Sequence, residues 1–197
     1  GAEAVVTPAP STPRTRVGRP LRGFRLRLAT ARDTDLLVAH RRKMWEAIGG
    51  RSVADLDCAD PVYRRWLLRE LRRGNFLGFL VERARDRAVA GSGAIWLVPS
   101  QPRPGPLGRE RMPYILSMFT DPAYRGRGVA SRIVRAQVRW AEANGYSRIF
   151  LHASAMGRSV YAALGFVPGN EMRLDLPAGA RSARRSRPGP LRPRAPP

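Results

Sequence analysis

The sequence predicts an α/β fold built on a mixed sheet, because strand-like and helix-like patterns of apolar residues succeed one another along the chain. Residues 24–28 alternate apolar and basic side chains, as expected of an edge strand with one face in water. Residues 114–119 are almost uniformly apolar, which is typical of a buried strand. After that run, apolar residues recur at helical spacing: Val129, Ile133, Ala136 and Trp140. A strand, a short turn and a helix therefore follow one another in the second half of the chain.

Two helices are predicted in the first half of the chain. Thr30 or Asp33 can cap the first helix, and Gly49 and Gly50 end it. The second helix is expected from about residue 61 to residue 73, because its apolar residues fall on one face. These residues are Val62, Trp66, Leu67 and Leu71.

A hairpin is predicted after the second helix. Residues 76–81 and 89–97 have the composition of strands, and the charged residues 82–86 between them form the expected turn. Residues 99–111 contain several prolines and predict a long loop, either a flap beside a substrate or a plain surface excursion.

The turn between the apolar run 114–119 and the following helix carries the strongest functional signal. Gly126 and Gly128 lie where the strand passes into the helix. Such a turn directs several backbone N–H groups to one point and adds the positive end of the helix dipole. Arg125 can add a guanidinium suited to bidentate phosphate contact. These residues predict a pyrophosphate site.

At this turn the chain resembles the GNAT family of N-acetyltransferases. Arg125-x-x-Gly128-x-Ala130 matches the Gln/Arg-x-x-Gly-x-Gly/Ala signature with which the family holds the pyrophosphate of acetyl-CoA. Residues 147–152 resemble the family's next strand, and residues 157–166 resemble its closing helix, in which a Tyr precedes Leu-Gly-Phe. The resemblance implies a mixed, mostly antiparallel central sheet flanked by helices, and an acetyltransferase domain over residues 23–176.

The resemblance also implies a reaction: direct attack of an amine on acetyl-CoA through a tetrahedral intermediate, with acetyl-CoA as co-substrate. In the family the end of the strand splays, and its backbone groups bind the pantetheine arm and polarise the thioester carbonyl. Tyr161 occupies the place of the general acid that protonates the departing thiolate. Ser154 stands where many members have an Asn, and a hydroxyl replaces only part of an amide's hydrogen bonding. The implied cofactor-binding residues are Met118, Phe119, Thr120, Arg125, Gly126, Arg127, Gly128, Val129, Ala130, Ser154 and Tyr161.

Many family members have a Glu on the strand before Thr120 that can deprotonate the amine. This sequence has no Glu on that strand, so the base has to be sought elsewhere. Glu171, Asp175 and His152 are the candidates, and a water chain is the alternative. Glu171 follows the closing helix, in a segment that often reaches the acceptor site in this family, and is predicted with Tyr161 to be catalytic. After residue 166 only residues 172–176 are apolar enough for a strand, so one terminal strand is short or missing. Its absence could open the acceptor cleft, or a homodimer partner could cover that edge.

The acceptor is expected to be the amine of a small molecule. The resemblance implies that the residues that select the acceptor lie on the first helix and the loop after it. In this sequence that region contains Met44, Trp45 and three aspartates at 55, 57 and 60. The aspartates could attract a cationic amine. The alternative is that Trp45 fills the core and the aspartates cap the second helix.

Composition limits which disulfides, membrane segments and metal sites the protein can have. The 197 residues carry a net charge of +21, Lys43 is the only lysine, and Cys58 is the only cysteine, so no internal disulfide can form. No apolar run has membrane-spanning length and no signal peptide is evident, which predicts a cytoplasmic protein that does not enter a membrane. His40 and His152 stand apart from any metal-ligand cluster, so no metal is expected.

The termini are predicted to be disordered. Residues 1–22 and 177–197 are rich in Pro, Ala and Arg and poor in large apolar residues. Basic tails can bind nucleic acid, but a solvated extension without a partner is the favoured interpretation. Two alternative functions remain: an acetyltransferase for a protein substrate, and a non-catalytic protein that binds CoA or nucleic acid on the same fold.

Overall fold

Five strands form one sheet in the order in which they occur along the described part of the chain. The structure is a computed structural model that describes residues 21–102 and 110–174. Neighbouring strands are antiparallel except the last pair, which is parallel. The strands are β1 (Phe24–Leu28), β2 (Phe76–Arg83), β3 (Val89–Pro99), β4 (Arg111–Thr120) and β5 (Phe150–Leu151). The predicted mixed, mostly antiparallel sheet is confirmed.

Helices cover both faces of this sheet. They are α1 (Thr34–Ile48), α2 (Val53–Arg72), α3 (Val129–Ala143) and the short α4 (Arg158–Ala162). α1 and α2 bury Leu37 and Leu67 against one face of β2 and β3. α3 buries Val129 and Ile133 against the other face, where Leu21 also packs. None of the helices in the described residues is long and apolar enough to cross a membrane.

The structure corrects three predicted boundaries. The second helix begins at Val53 rather than at residue 61, because Ser52 and Asp55 form a capping box and Pro61 is accommodated inside the helix. The predicted strand at 147–152 is reduced to the two residues of β5. Residues 171–174 form no strand. Residues 1–20 and 175–197, and with them Asp175 and nearly all of both predicted tails, lie outside the described residues.

The predicted turn at 82–86 is also wrong in part, because Glu82 is a strand residue whose side chain is only 1% exposed. Arg27 Nε donates to a Glu82 carboxylate oxygen at 2.7 Å, and Arg25 on the same strand donates to the other oxygen. The hydrogen bond from Arg27 makes the largest contribution, and together with the one from Arg25 it holds the pKa of Glu82 below its ordinary value. The charge is therefore tolerated in the sheet because β1 supplies two cations beside it.

Replacing Glu82 by Gln is expected to lower the free energy of unfolding at pH 7 by about 1–2 kcal/mol, because both arginines lose a charged partner but stay partly in water. The lowered pKa means that this stabilisation is complete above the ordinary pKa of a Glu and is lost as the pH falls through the folded-state value. Urea unfolding at pH 7 and pH 3 measures the difference. A variant that is equally destabilised at both pH values would show that the charge is not responsible.

Candidate active site

The sheet opens between β4 and β5. The two strands pair only at Tyr114–Phe150 and Ile115–Leu151. β4 then continues to Thr120 while β5 ends, so among the described residues no strand covers that side of the second half of β4. Backbone N–H and C=O groups on an uncovered strand edge are available to a ligand. A cavity of about 560 Å³ lies at this opening.

A β-bulge shapes β4 beside the cavity. Ser117 and Met118 together lie opposite the single residue Gly93 of β3. Ser117 has a φ of 52°, a left-handed value that residues other than glycine rarely adopt. A Cβ at position 93 would collide with the Met118 sulfur and come within 2.9 Å of Ile133 Cγ2. Since bulges bend a strand and redirect its groups, this one determines how residues 118–120 line the cavity.

The turn between β4 and α3 has the backbone expected of an anion site. Gly126 and Gly128 have φ values of 71° and 81°, and Gly128 is the N-cap residue of α3. No side chain caps this helix. The first N–H groups of a helix have no partner within it, and the helix dipole makes this end positive. A Cβ on either glycine would have no heavy atom within 4 Å, so open space adjoins both residues.

Two arginines flank this turn, and only one of them lines the cavity. Arg125 lines it and donates from Nε to the carbonyl of Thr120 at 3.3 Å. The guanidinium of Arg127 instead lies 5.8 Å from the centre of the Tyr124 ring. Arg127 is therefore the one predicted cofactor-binding residue that is not among the lining residues. The predicted residues that do line the cavity are Met118, Phe119, Thr120, Arg125, Gly126, Gly128, Val129, Ala130, Ser154 and Tyr161.

Tyr161 lies on α4 with its side chain toward the cavity. It is 9% exposed and packs edge-on against Phe166, with ring centres 5.7 Å apart. A Cβ at Gly157 would come within 2.9 Å of its ring, so this glycine makes room for the phenol. Burial raises the pKa of Tyr161 to about 12. The Tyr161 ring thus packs against Phe166, and its position at the cavity also fits the general-acid role that the resemblance implies.

Two further polar side chains line the cavity after β5. Ser154 Oγ accepts a hydrogen bond from the backbone N–H of Gly157 at 3.3 Å, so its hydroxyl helps to hold the start of α4. His152 lies in hydrogen-bond contact with the hydroxyl of Tyr114 through Nδ1. Among the described lining residues, His152 is the only side chain of the imidazole or carboxylate type.

His40, the other histidine of the chain, is not among the lining residues. His40 is buried behind β4, where it bonds Ser92 Oγ at 2.8 Å and packs on Phe119. Burial lowers the pKa of His40 to about 4, so it is neutral in the folded protein. Glu171 belongs to a second compact unit that begins at Val167, whereas the residues that line the cavity all belong to the first, which ends at Phe166. Its catalytic role stays a prediction.

α1 contributes lining residues that the sequence pattern did not single out. Met44 was expected near the acceptor, but Ala47 and Ile48 were not. Trp45 does not line the cavity, and the guanidinium groups of Arg41 and Arg51 lie over its ring at 6.0 and 5.7 Å. Other lining residues absent from the predicted set are Ile115, Leu116, Ser117, Tyr124, Ser131, Met156, Gly157 and Val160.

Fold and cavity together define a class of α/β proteins that place a ligand between two parted strands and the N-terminus of a helix. The chain belongs to the acetyltransferase (GNAT) family, whose sequence profile matches residues 41–166. It is therefore assigned to the acyltransferases, and the predicted family is confirmed. No curated protein matches the sequence significantly.

Solved structures agree with this assignment. A GCN5-related N-acetyltransferase from Ralstonia eutropha JMP134 is 27% identical, with a TM-score of 0.71 over 78% of this chain and 99% of that one. A predicted acetyltransferase from Clostridium acetobutylicum, solved with acetyl-CoA, is 26% identical, with a TM-score of 0.66 over 78% and 96%. The aminoglycoside N-acetyltransferase AAC(6')-Iy, solved with CoA, shares the fold at 16% identity, with a TM-score of 0.56 over 79% and 95%. Structures with acetyl-CoA and CoA agree with the predicted co-substrate.

Proposed function

We propose that this protein transfers the acetyl group of acetyl-CoA to the amine of a small molecule by direct attack. The observation that carries the proposal is the convergence on one cavity of three features. These are the parted edge of β4, the uncapped N-terminus of α3 and the Tyr161 side chain. Each of the three supplies something that thioester aminolysis requires.

The N-terminus of α3 is the proposed site of the CoA pyrophosphate. Its N–H groups are not capped by any side chain, and Arg125 adds a guanidinium at the same end of the cavity. Anions bind at such helix ends because both the N–H groups and the dipole favour negative charge. The open space beside Gly126 and Gly128 allows a phosphate to approach the backbone closely.

The second half of β4 is the proposed site of the pantetheine arm and thioester. Met118, Phe119 and Thr120 line the cavity beyond the last residue that pairs with β5. Preorganised backbone N–H groups that face a developing oxyanion are worth about 3–4 kcal/mol of barrier in other enzymes. The bulge at Ser117 and Met118 fixes the direction of these groups before the substrate binds.

Tyr161 is the proposed general acid. Attack of the amine forms the new C–N bond and gives an oxyanion, and its collapse breaks the C–S bond and releases CoA thiolate. With a pKa of about 12, Tyr161 carries its proton throughout the neutral range. It can therefore donate that proton, or a hydrogen bond, to the departing sulfur.

His152 is the group that the cavity favours for removing the proton of the incoming ammonium, directly or through water. Alkylammonium groups have pKa values near 10, so few are free amines at pH 7. His152 lines the cavity, and its contact with Tyr114 fixes the orientation of the ring. Glu171 remains the alternative base.

Replacing His152 by Gln is expected to lower kcat/KM at pH 7 by roughly 100-fold, with the affinity for acetyl-CoA unchanged. The loss should shrink toward pH 10, where the amine deprotonates without help. Glu171→Gln is made in parallel because Glu171 is the alternative base, and under the His152 proposal it retains full activity. A loss in the Glu171 variant, and none in the His152 variant, would give the role to Glu171.

The function itself is tested by incubating the protein with acetyl-CoA and a set of primary amines. Free CoA thiol and the mass of the acetylated amine are measured together. We expect thiol to be released only when an amine is present and in equal amount to the amide formed. Binding of acetyl-CoA without turnover of any amine would favour the non-catalytic alternative.

A further inference from the structure

The acceptor end of the cavity has an apolar wall. Met44 and Ile48 from the end of α1 line the cavity, as do Met156 and Val160 from the segment after β5. Ile48 is 44% exposed and Met156 is 60% exposed. None of the lining residues in the described part of the first unit is Asp or Glu. These described lining residues can therefore bury an apolar group, and none of them offers a carboxylate to a cation.

The acidic residues of α1 and α2 are engaged elsewhere. Arg42 Nη1 bonds Asp57 at 2.7 Å and Asp60 at 2.9 Å, and Arg42 Nε bonds Glu46 at 3.1 Å. Asp55 bonds the hydroxyl and the backbone N–H of Ser52 at the start of α2. The aspartates that the sequence offered as partners for a cationic substrate thus have structural roles, and none of them lines the cavity.

A charged side chain that lines the cavity, that of Arg125, is positive. The whole chain carries a net charge of +21. A second ammonium group on the acceptor would lose water without gaining a carboxylate partner among the described lining residues and would be repelled by Arg125.

We propose that the acceptor is a monoamine with an apolar body, an alkyl or arylalkyl amine, and not a polyamine or an aminoglycoside. This inference rests on the proposed acetyl transfer. The amine lies at the thioester, and the apolar body covers Met44, Ile48 and Met156. The apolar wall thus recognises the alkyl or arylalkyl group of the acceptor, which takes no part in the reaction.

The test compares hexylamine with 1,6-diaminohexane, which have the same six-carbon chain and differ in whether its far end carries a hydrogen or an ammonium group. We expect kcat/KM to be about 100-fold higher for hexylamine, since the ammonium group would be buried without a partner. Equal values, or a preference for the diamine, would overturn the inference while leaving acetyl transfer established. Turnover of no amine by a protein that still binds acetyl-CoA would overturn the proposed function and this inference together.

A pair of variants shows whether the apolar wall is responsible. Met44→Glu places a carboxylate in the cavity and should raise the diamine-to-hexylamine ratio of kcat/KM by about 10-fold or more. Val62→Glu is the control, because Val62 is 57% exposed on α2 and does not line the cavity. A ratio that changes equally in both variants would assign selectivity to overall charge and contradict a role for the wall.

Discussion

Gly128→Asp is expected to weaken CoA binding by about 100- to 1000-fold, whereas Gly128→Asn weakens it by no more than about 10-fold. The two side chains have nearly the same shape and differ in charge. Like charges a few ångströms apart at a protein surface repel by about 2–4 kcal/mol, which corresponds to this difference. The prediction assumes that the CoA pyrophosphate lies at the N-terminus of α3.

Both substitutions put a residue with a Cβ at a φ of 81°. Asn and Asp tolerate this left-handed conformation better than other residues, and the Cβ would meet no heavy atom within 4 Å. The strain is therefore similar in the two variants and cancels in the comparison. Calorimetric titration gives the affinities, and unfolding temperatures verify the fold. Equal affinities of the Asp and Asn variants would mean that no phosphate lies near Gly128.

Tyr161→Phe is expected to lower kcat by roughly 100-fold, with the affinity for acetyl-CoA changed less than about 3-fold. The Phe variant keeps the ring that packs edge-on against Phe166 and removes only the hydroxyl. Tyr146→Phe is the matched control, because Tyr146 stacks on Trp140 and does not line the cavity. An unchanged kcat in the Tyr161 variant would make this residue a packing residue only.

The pH profile adds a second criterion for Tyr161. Its pKa is raised to about 12 by burial, so the proton-donating form persists well above the ordinary pKa of a tyrosine. We expect kcat of the wild-type protein to show no decline assignable to this acid between pH 8 and about pH 10. A fall of the rate near pH 8–9 that is absent in Tyr161→Phe would show that the phenol titrates much lower and contradict the burial argument.

The strand, turn and helix from residue 111 to residue 143 could be predicted because their signals are local. A continuous apolar run, two glycines and a helical repeat each constrain the backbone within a few residues. The same holds for the first helix: the Thr30 and Asp33 capping box begins a short 3-10 turn at Ala31–Asp33 that leads into α1, and Gly49 ends α1. Where one segment carries the information, the prediction and the structure agree, except at the start of α2, where the local capping box of Ser52 and Asp55 was missed.

The errors arose where distant residues decide the outcome. Glu82 belongs to a strand only because Arg25 and Arg27, more than 50 positions earlier, lie beside it in the sheet. Ile48 reaches the cavity because α1 packs across β4, which the helical pattern of α1 does not reveal. Arg127 is not among the lining residues and its guanidinium lies 5.8 Å from the centre of the Tyr124 ring, so its cofactor-binding role stays a prediction.

The central claim is that the opening between β4 and β5 and the N-terminus of α3 form one CoA site. The most direct measurement is the shift in unfolding temperature with increasing acetyl-CoA, CoA and ATP, in the wild type and in Gly128→Asp. A ligand at 100 times its Kd stabilises the folded state by about 2.7 kcal/mol. We predict large, concentration-dependent shifts with both CoA forms, much smaller ones with ATP, and shifts at least several-fold smaller with CoA in the variant. Equal shifts with ATP and CoA, retained in Gly128→Asp, would reduce the site to general attraction of anions by a basic protein and contradict the claim.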